Sequence, residues 1–242
     1  MTKENLLNCH KRIQPFIHNT AVLTSRLIDR EVNANLFFKC ENFQRAGVVT
    51  HSSGNFAQAL SLAAQSVGVT AHIVMPNTAP EVKKVGVKEY GGIIYLCEPT
   101  VQARQALADE IALKTGATFI HPSNDANVIL GQGTAALELL NEYSDLNYIF
   151  CPVGGGGLIA GSALAAKYFG NNSKVYGAEP FEADDAYRSL KSGKIEGNET
   201  VNTIADGLKT TLGDINFPII KELVSGIVRV DEDEIIAAMK LV

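Results

Sequence analysis

The chain has 242 residues, 46% hydrophobic and 19% charged, with a net charge of −5. That is enough apolar material for one large or two small cored domains. It carries no Lys/Arg-rich run, which argues against nucleic-acid binding, and no apolar stretch long enough to span a bilayer. The cysteines Cys9, Cys40, Cys97 and Cys151 are scattered without CxxC spacing. Cys40 and Cys151 end apolar runs and read as reduced core thiols, and the scatter argues against a zinc site or disulfide framework. No signal-peptide pattern opens the sequence, so a cytoplasmic location is expected.

Strand and helix patterns alternate along the chain. Asn35–Cys40 and Val48–His51 read as strands, followed by a helix over Asn55–Ser66. Ala71–Met75 is a strand with a helix through Val82–Tyr90. Ile93–Leu96 precedes a helix over Val101–Lys114, and Thr118–His121 precedes one over Ala126–Glu142. Tyr148–Val153 is a strand leading into a helix of small apolar residues, and Lys174–Ala178 is a further strand. Short apolar strands separated by helices predict a parallel, doubly wound α/β sheet. Such sheets bind ligands at the carboxyl ends of their strands.

Three loops in those places carry polar chemistry. Gly154, Gly155, Gly156 and Gly157 lie between a strand and a helix beginning at Leu158. Free N–H groups, the positive end of a helix dipole and missing Cβ atoms predict an anion cup, best suited to phosphate. An ordinary turn would be weakened by so many glycines. Ser52-Ser53-Gly54-Asn55 follows Val48–His51 and forms a second polar cup, beyond what one capping serine explains. Glu179 to Asp185 follows Lys174–Ala178; its carboxylates suit a hard cation or an acidic helix start.

Together these loops resemble the fold-type II pyridoxal-phosphate enzymes, in the serine racemase and serine/threonine dehydratase branch. The resemblance runs from about Ile13 to Val242. It rests on Leu36–Gln44, Thr50–Asn55, Gly131-Gln132-Gly133-Thr134, Val153–Gly157, Ala178-Glu179-Pro180 with Ala183-Asp184-Asp185, and Thr203–Gly207. It implies an α/β fold of two parallel αβα domains: residues 1–46 and 125–242 as the large cofactor domain, 47–124 as a small, mobile substrate-side domain.

The resemblance also implies roles. Gly154–Gly157 and the Leu158 N–H would hold the phosphate of pyridoxal 5′-phosphate, and Asn55 the cofactor's 3′-oxygen. Ser52, Ser53, Gly54 and Asn55 would grip the substrate carboxylate. Arg104 matches an arginine near the substrate entrance, although a solvated helix residue explains it equally well. Glu179, the Ala183 carbonyl and Asp185 would bind Mg²⁺ or Ca²⁺. Ser53 matches the serine that serves the second face of the α-carbanion in racemases. A homodimer converting serine or threonine by racemisation and dehydration is implied. Cysteine synthase-like β-replacement is the related alternative, and a non-catalytic cofactor- or metabolite-binding protein is the alternative of another class.

Two features depart from the family. After Gly47 the family continues into a Phe-Lys pair whose lysine forms the Schiff base; here Val48 follows. Lys39 lies before the motif and is no replacement. A parallel crossover needs about a dozen residues or more, and none fit between Cys40 and Val48. The chain also stops within an amphipathic helix that starts at Asp231 with Glu234 as its capping partner. Both features point to residues missing from the sequence, so the chain as written is expected to be inactive. Smaller departures are Ala21 and Phe56.

Overall fold

The computed structural model describes residues 1–14, 22–23, 38–39, 49–66, 69–198 and 201–241. The lysine-lacking junction at Gly47–Val48, Cys40, Ala21 and most of the strand expected over Asn35–Cys40 lie outside them. The described residues fall into two compact units.

One unit holds residues 1–12, 22–23, 38–39 and those from 123 onward. Its elements are α1 (Lys3–Ile13, which ends one residue beyond it), the short antiparallel pair β1 (Val22–Leu23) and β2 (Phe38–Lys39), and α5 (Ala126–Glu142). There follow β5 (Tyr148–Pro152), α6 (Gly157–Phe169), β6 (Lys174–Pro180), α7 (Asp185–Ser192), α8 (Phe217–Leu223), β7 (Val224–Val230) and α9 (Glu232–Met239). Strands β5, β6 and β7 form a parallel sheet in that order. β5 alternates strictly, burying Ile149 and Cys151 while Tyr148 and Phe150 face out. This is the period-two signature of a half-buried strand. The buried face packs Ile149, Cys151, Val175 and Ile227 into one core with Leu137, Leu140, Ile159, Ala163 and Ile220. Glycine permits a close backbone contact in this core. A Cβ on Gly133 of α5 would lie 2.6 Å from the Gly161 carbonyl of α6.

The other unit holds Ile13, Gln14 and the described residues from 49 to 122. It contains α2 (Asn55–Ser66), β3 (His72–Pro76), α3 (Glu81–Glu89), β4 (Ile93–Cys97) and α4 (Val101–Thr115). β3 and β4 pair in parallel, and Ile73 and Met75 bury against Leu60, Ala64 and Val87. α4 is capped at both ends: the Thr100 side chain accepts from the Ala103 N–H, and Gly116 closes the helix in the left-handed region.

Expected and observed elements differ at two strands. Of the strand expected over Val48–His51, the described residues Val49–His51 form a single bridge between Thr50 and Ile73, and Thr118–His121 forms no strand. Each contributes isolated bonds instead. Ile120 N–H donates to the Val49 carbonyl (2.8 Å) and Val74 N–H to the Thr50 carbonyl (3.0 Å). Consecutive ladder bonds are what define a strand, and these segments lack them. Among the described residues, no helix is long and apolar enough to cross a membrane.

Candidate active site

The glycine cup grows from the end of β5. Val153 N–H extends the β5–β6 pairing by donating to the Ala178 carbonyl (2.8 Å). The chain then turns into α6 through Gly156, the N-cap, at φ +82°. An L side chain there is strained and would also strike Leu212 (2.6 Å) and the Asn216 Oδ1 (2.9 Å). A Cβ on Gly154 would meet the Gly207 carbonyl (2.8 Å), one on Gly155 the Ser123 hydroxyl, and one on Gly157 the Gln132 amide oxygen. The Thr210 hydroxyl lies 3.3 Å from the Cβ positions of both Gly154 and Gly155. Bare backbone, first-turn N–H groups of α6 and the hydroxyls of Ser123 and Thr210 therefore converge. This donor set fits a phosphate group. Ser123, Thr210 and Asn216 were not singled out in the sequence, because only folding brings residues 123 and 207–216 to the glycines.

The acidic loop divides its carboxylates by environment. Burial tends to raise Asp184, but bonds from Arg188 Nε (2.6 Å) and Arg229 (2.9 Å) hold its carboxyl below the usual range. Asp185 and Glu179 are buried. Burial pushes Glu179 up to about 8, with repulsion from Asp185 adding to it. Burial likewise raises Asp185 to about 6. Glu179 accepts from the Tyr187 N–H (2.6 Å), and Asp185 from the Asn198 amide (2.7 Å) and the Leu212 N–H (3.2 Å). Two adjacent buried carboxyls that resist ionisation form an environment a cation would relieve. Ala183, whose carbonyl was expected beside them, is buried in the short 3₁₀ turn Phe181–Ala183. Among the described residues, no three His, Cys, Asp or Glu side chains gather as a metal cluster.

In the other unit, Ser52, Ser53 and Gly54 are half-buried and lead into Asn55, the exposed first residue of α2. The Ser52 hydroxyl accepts from the Gly54 N–H (3.3 Å), and a Cβ on Gly54 would meet open space. Arg104 lies on the first turn of α4, its Nε donating to the Thr100 carbonyl (3.4 Å). His51, just before the serines, bonds through Nε2 to Gln105 Oε1 (3.1 Å), and its buried Nδ1 has no partner. The Gln105 amide donates to Asp109 (2.7 Å), which fixes Oε1 as the acceptor and puts the His51 proton on Nε2.

The sequence profile described as "pyridoxal-phosphate dependent enzyme" matches residues 44–242. The chain belongs to this family. Its cofactor is pyridoxal phosphate, and the fold is α/β of fold-type II. A serine racemase from Dictyostelium discoideum is 43% identical over 266 aligned positions, covering 100% of this chain and 82% of that protein. Those positions number 24 more than the 242 residues of this chain, so the relative holds residues within the matched span that this chain lacks. The solved maize serine racemase superposes with a TM-score of 0.95 at 41% identity, covering 99% of this chain and 80% of that one. A solved T.th. threonine deaminase gives 0.92 at 38% identity, covering 100% and 86%.

Proposed function

We propose that this protein is a pyridoxal-phosphate-dependent serine racemase that also dehydrates L-serine and L-threonine. The glycine cup at the start of α6 carries this reading, in a chain whose relatives include serine racemases and a threonine deaminase. The N–H groups of Gly154–Gly157 and Leu158 bind the phosphate, and Asn55 bonds the 3′-oxygen. When bound, pyridoxal phosphate supplies an electron sink that acidifies the substrate Cα–H. Ser52, Ser53, Gly54 and Asn55 orient the substrate carboxylate, with Arg104 adding positive charge near its approach. The Ser53 hydroxyl moves a proton at one face of Cα. For the opposite face the family resemblance implies a lysine after Gly47, where this chain has Val48.

Residues 1–46 and 125–242 form the large cofactor domain and 47–124 the small substrate-side domain. Glu179, the Ala183 carbonyl and Asp185 hold Mg²⁺ or Ca²⁺ beside the large-domain sheet. The protein works as a cytoplasmic homodimer, where its thiols stay reduced. Support for the cation comes from two carboxylate side chains buried in one loop, Glu179 and Asp185, each 1% exposed.

The test is to incubate the encoded full-length protein, loaded with pyridoxal phosphate, with L-serine and with L-threonine. Pyruvate and D-serine are expected from L-serine, and the 2-oxoacid from L-threonine. Absence of turnover on both substrates overturns the reading. Ser53→Ala should cut D-serine formation by at least about 100-fold while dehydration continues. The 242-residue chain itself should bind the cofactor without a covalent link, so borohydride leaves its mass unchanged.

A further inference from the structure

Asn216 stands at the N-cap of α8, where an asparagine ordinarily bonds the free N–H groups of its own helix. It makes no such bond. Its side chain is 0% exposed and turns away to segments distant in sequence. Nδ2 donates to the Gly155 carbonyl (2.7 Å) and to the Ser123 carbonyl (3.1 Å). Oδ1 accepts from the Gly213 N–H (3.1 Å). One buried amide thus joins the glycine cup, the segment bearing the Ser123 hydroxyl, and the 207–216 segment bearing the Thr210 hydroxyl.

The bond to Gly155 has a directional consequence. In a trans peptide the carbonyl of one residue and the N–H of the next point in opposite directions within one plane. Tying the Gly155 carbonyl to Asn216 therefore turns the Gly156 N–H away from Asn216. Gly156 is also the residue at φ +82°, with little intrinsic preference to hold that plane.

We propose that Asn216 is a positioning residue: it locks the Gly155–Gly156 peptide so that the loop presents its N–H groups to the phosphate. This rests on reading the glycine cup as the phosphate site. Asn216 itself does not touch the ligand.

The experiment measures binding of pyridoxal 5′-phosphate, pyridoxal and inorganic phosphate to the chain, its Asn216→Ala variant and its Asn216→Asp variant. Asp keeps the shape and the acceptor for Gly213 but loses both Nδ2 donors. Both variants should bind pyridoxal phosphate at least ~10-fold more weakly, the scale of losing a buried hydrogen bond, and inorganic phosphate likewise. Pyridoxal, which lacks the phosphate, should bind within about 2-fold of wild type. In ³¹P NMR, the bound phosphate resonance should move toward its free position in Asn216→Asp. Equal weakening of pyridoxal and pyridoxal phosphate, no change in either, or failure of both variants to fold overturns the proposal in favour of a purely architectural amide. If wild type binds neither pyridoxal phosphate nor phosphate, the reading of the cup falls, and the proposal with it. If wild type binds and the variants do not discriminate, only the role of Asn216 falls.

Discussion

Two residues show how burial sets chemistry. Cys151 sits in the sheet core, and burial pushes its thiol up to about 11 despite a bond to Ser162. The thiolate is the reactive form, so the folded protein should leave Cys151 unmodified at pH 8; burial raises the Cys97 thiol too, but its partial exposure should let it react with iodoacetamide. Peptide mass mapping of the reaction reads this, and equal labelling of the two would contradict the placement. His51 is lowered from 6.5, chiefly by burial, with the Arg104 charge adding to it against upward pulls from the backbone, Gln105 and Asp109. Folded and unfolded chains are both neutral there well above pH 6.5. As pH falls below 6.5 the unfolded chain takes the proton first, so the folded state loses stability toward its own lower value. His51→Gln should flatten this loss; melting temperatures at pH 7.5 and 5.5 measure the difference. A wild-type slope equal to that of the variant would reject it. Ser52 and Ser53 were legible beside this histidine as a hydroxyl cluster, but its bond to Gln105 was not.

At the scale of elements, helix periodicity was the most readable signal. The helices over Asn55–Ser66 and Ala126–Glu142 have the bounds their patterns predict, and the Asp231–Glu234 capping box forms as expected. The small residues of α6 announced a helix but not why they are small. A Cβ on Gly161 would meet the Gly133 nitrogen (2.5 Å) and Cα (2.8 Å), backbone atoms that cannot swing aside. Alanine favours a helix by roughly 1 kcal/mol over glycine, whereas core overpacking costs roughly 1–3 kcal/mol and occasionally more. The second effect should win. Gly161→Ala is expected to destabilise the protein by up to about 2 kcal/mol net, measured by urea unfolding; a gain in stability would mean the α5–α6 contact relaxes. β7 escaped sequence reading because Ser225 and Gly226 interrupt its apolar run and α8 leads into it without a turn. Its pairing with β6 is a long-range choice, made about fifty residues along the chain and dependent on the sheet already being present.

For the whole molecule, the acidic loop offers the sharpest test of what folding adds. Asp184 and Asp185 are adjacent in sequence and indistinguishable by composition. The fold turns Asp184 to Arg188 and Arg229 and buries Asp185 beside Glu179. The cation proposed for Glu179 and Asp185, Mg²⁺ or Ca²⁺ at about 100 times its dissociation constant, should stabilise the protein by roughly 2.7 kcal/mol. Asp185→Asn should abolish that gain and Asp184→Asn should retain it, as read from melting temperatures with and without cation. Loss of the gain in Asp184→Asn alone would move the site.

By itself the sequence determined the alternating α/β pattern, the glycine cup, the hydroxyl cluster at Ser52–Asn55 and the family that joins them. All of these are local runs whose period and backbone freedom are written in consecutive residues. Tertiary structure decided which hydroxyls line the cup, which aspartate Arg229 bonds, and why Asn216 leaves its own helix uncapped. Arg188 and Gly213 aside, which are three or four residues from their partners, those outcomes depend on carbonyls and charges contributed by segments tens of residues away, whose positions no local pattern specifies.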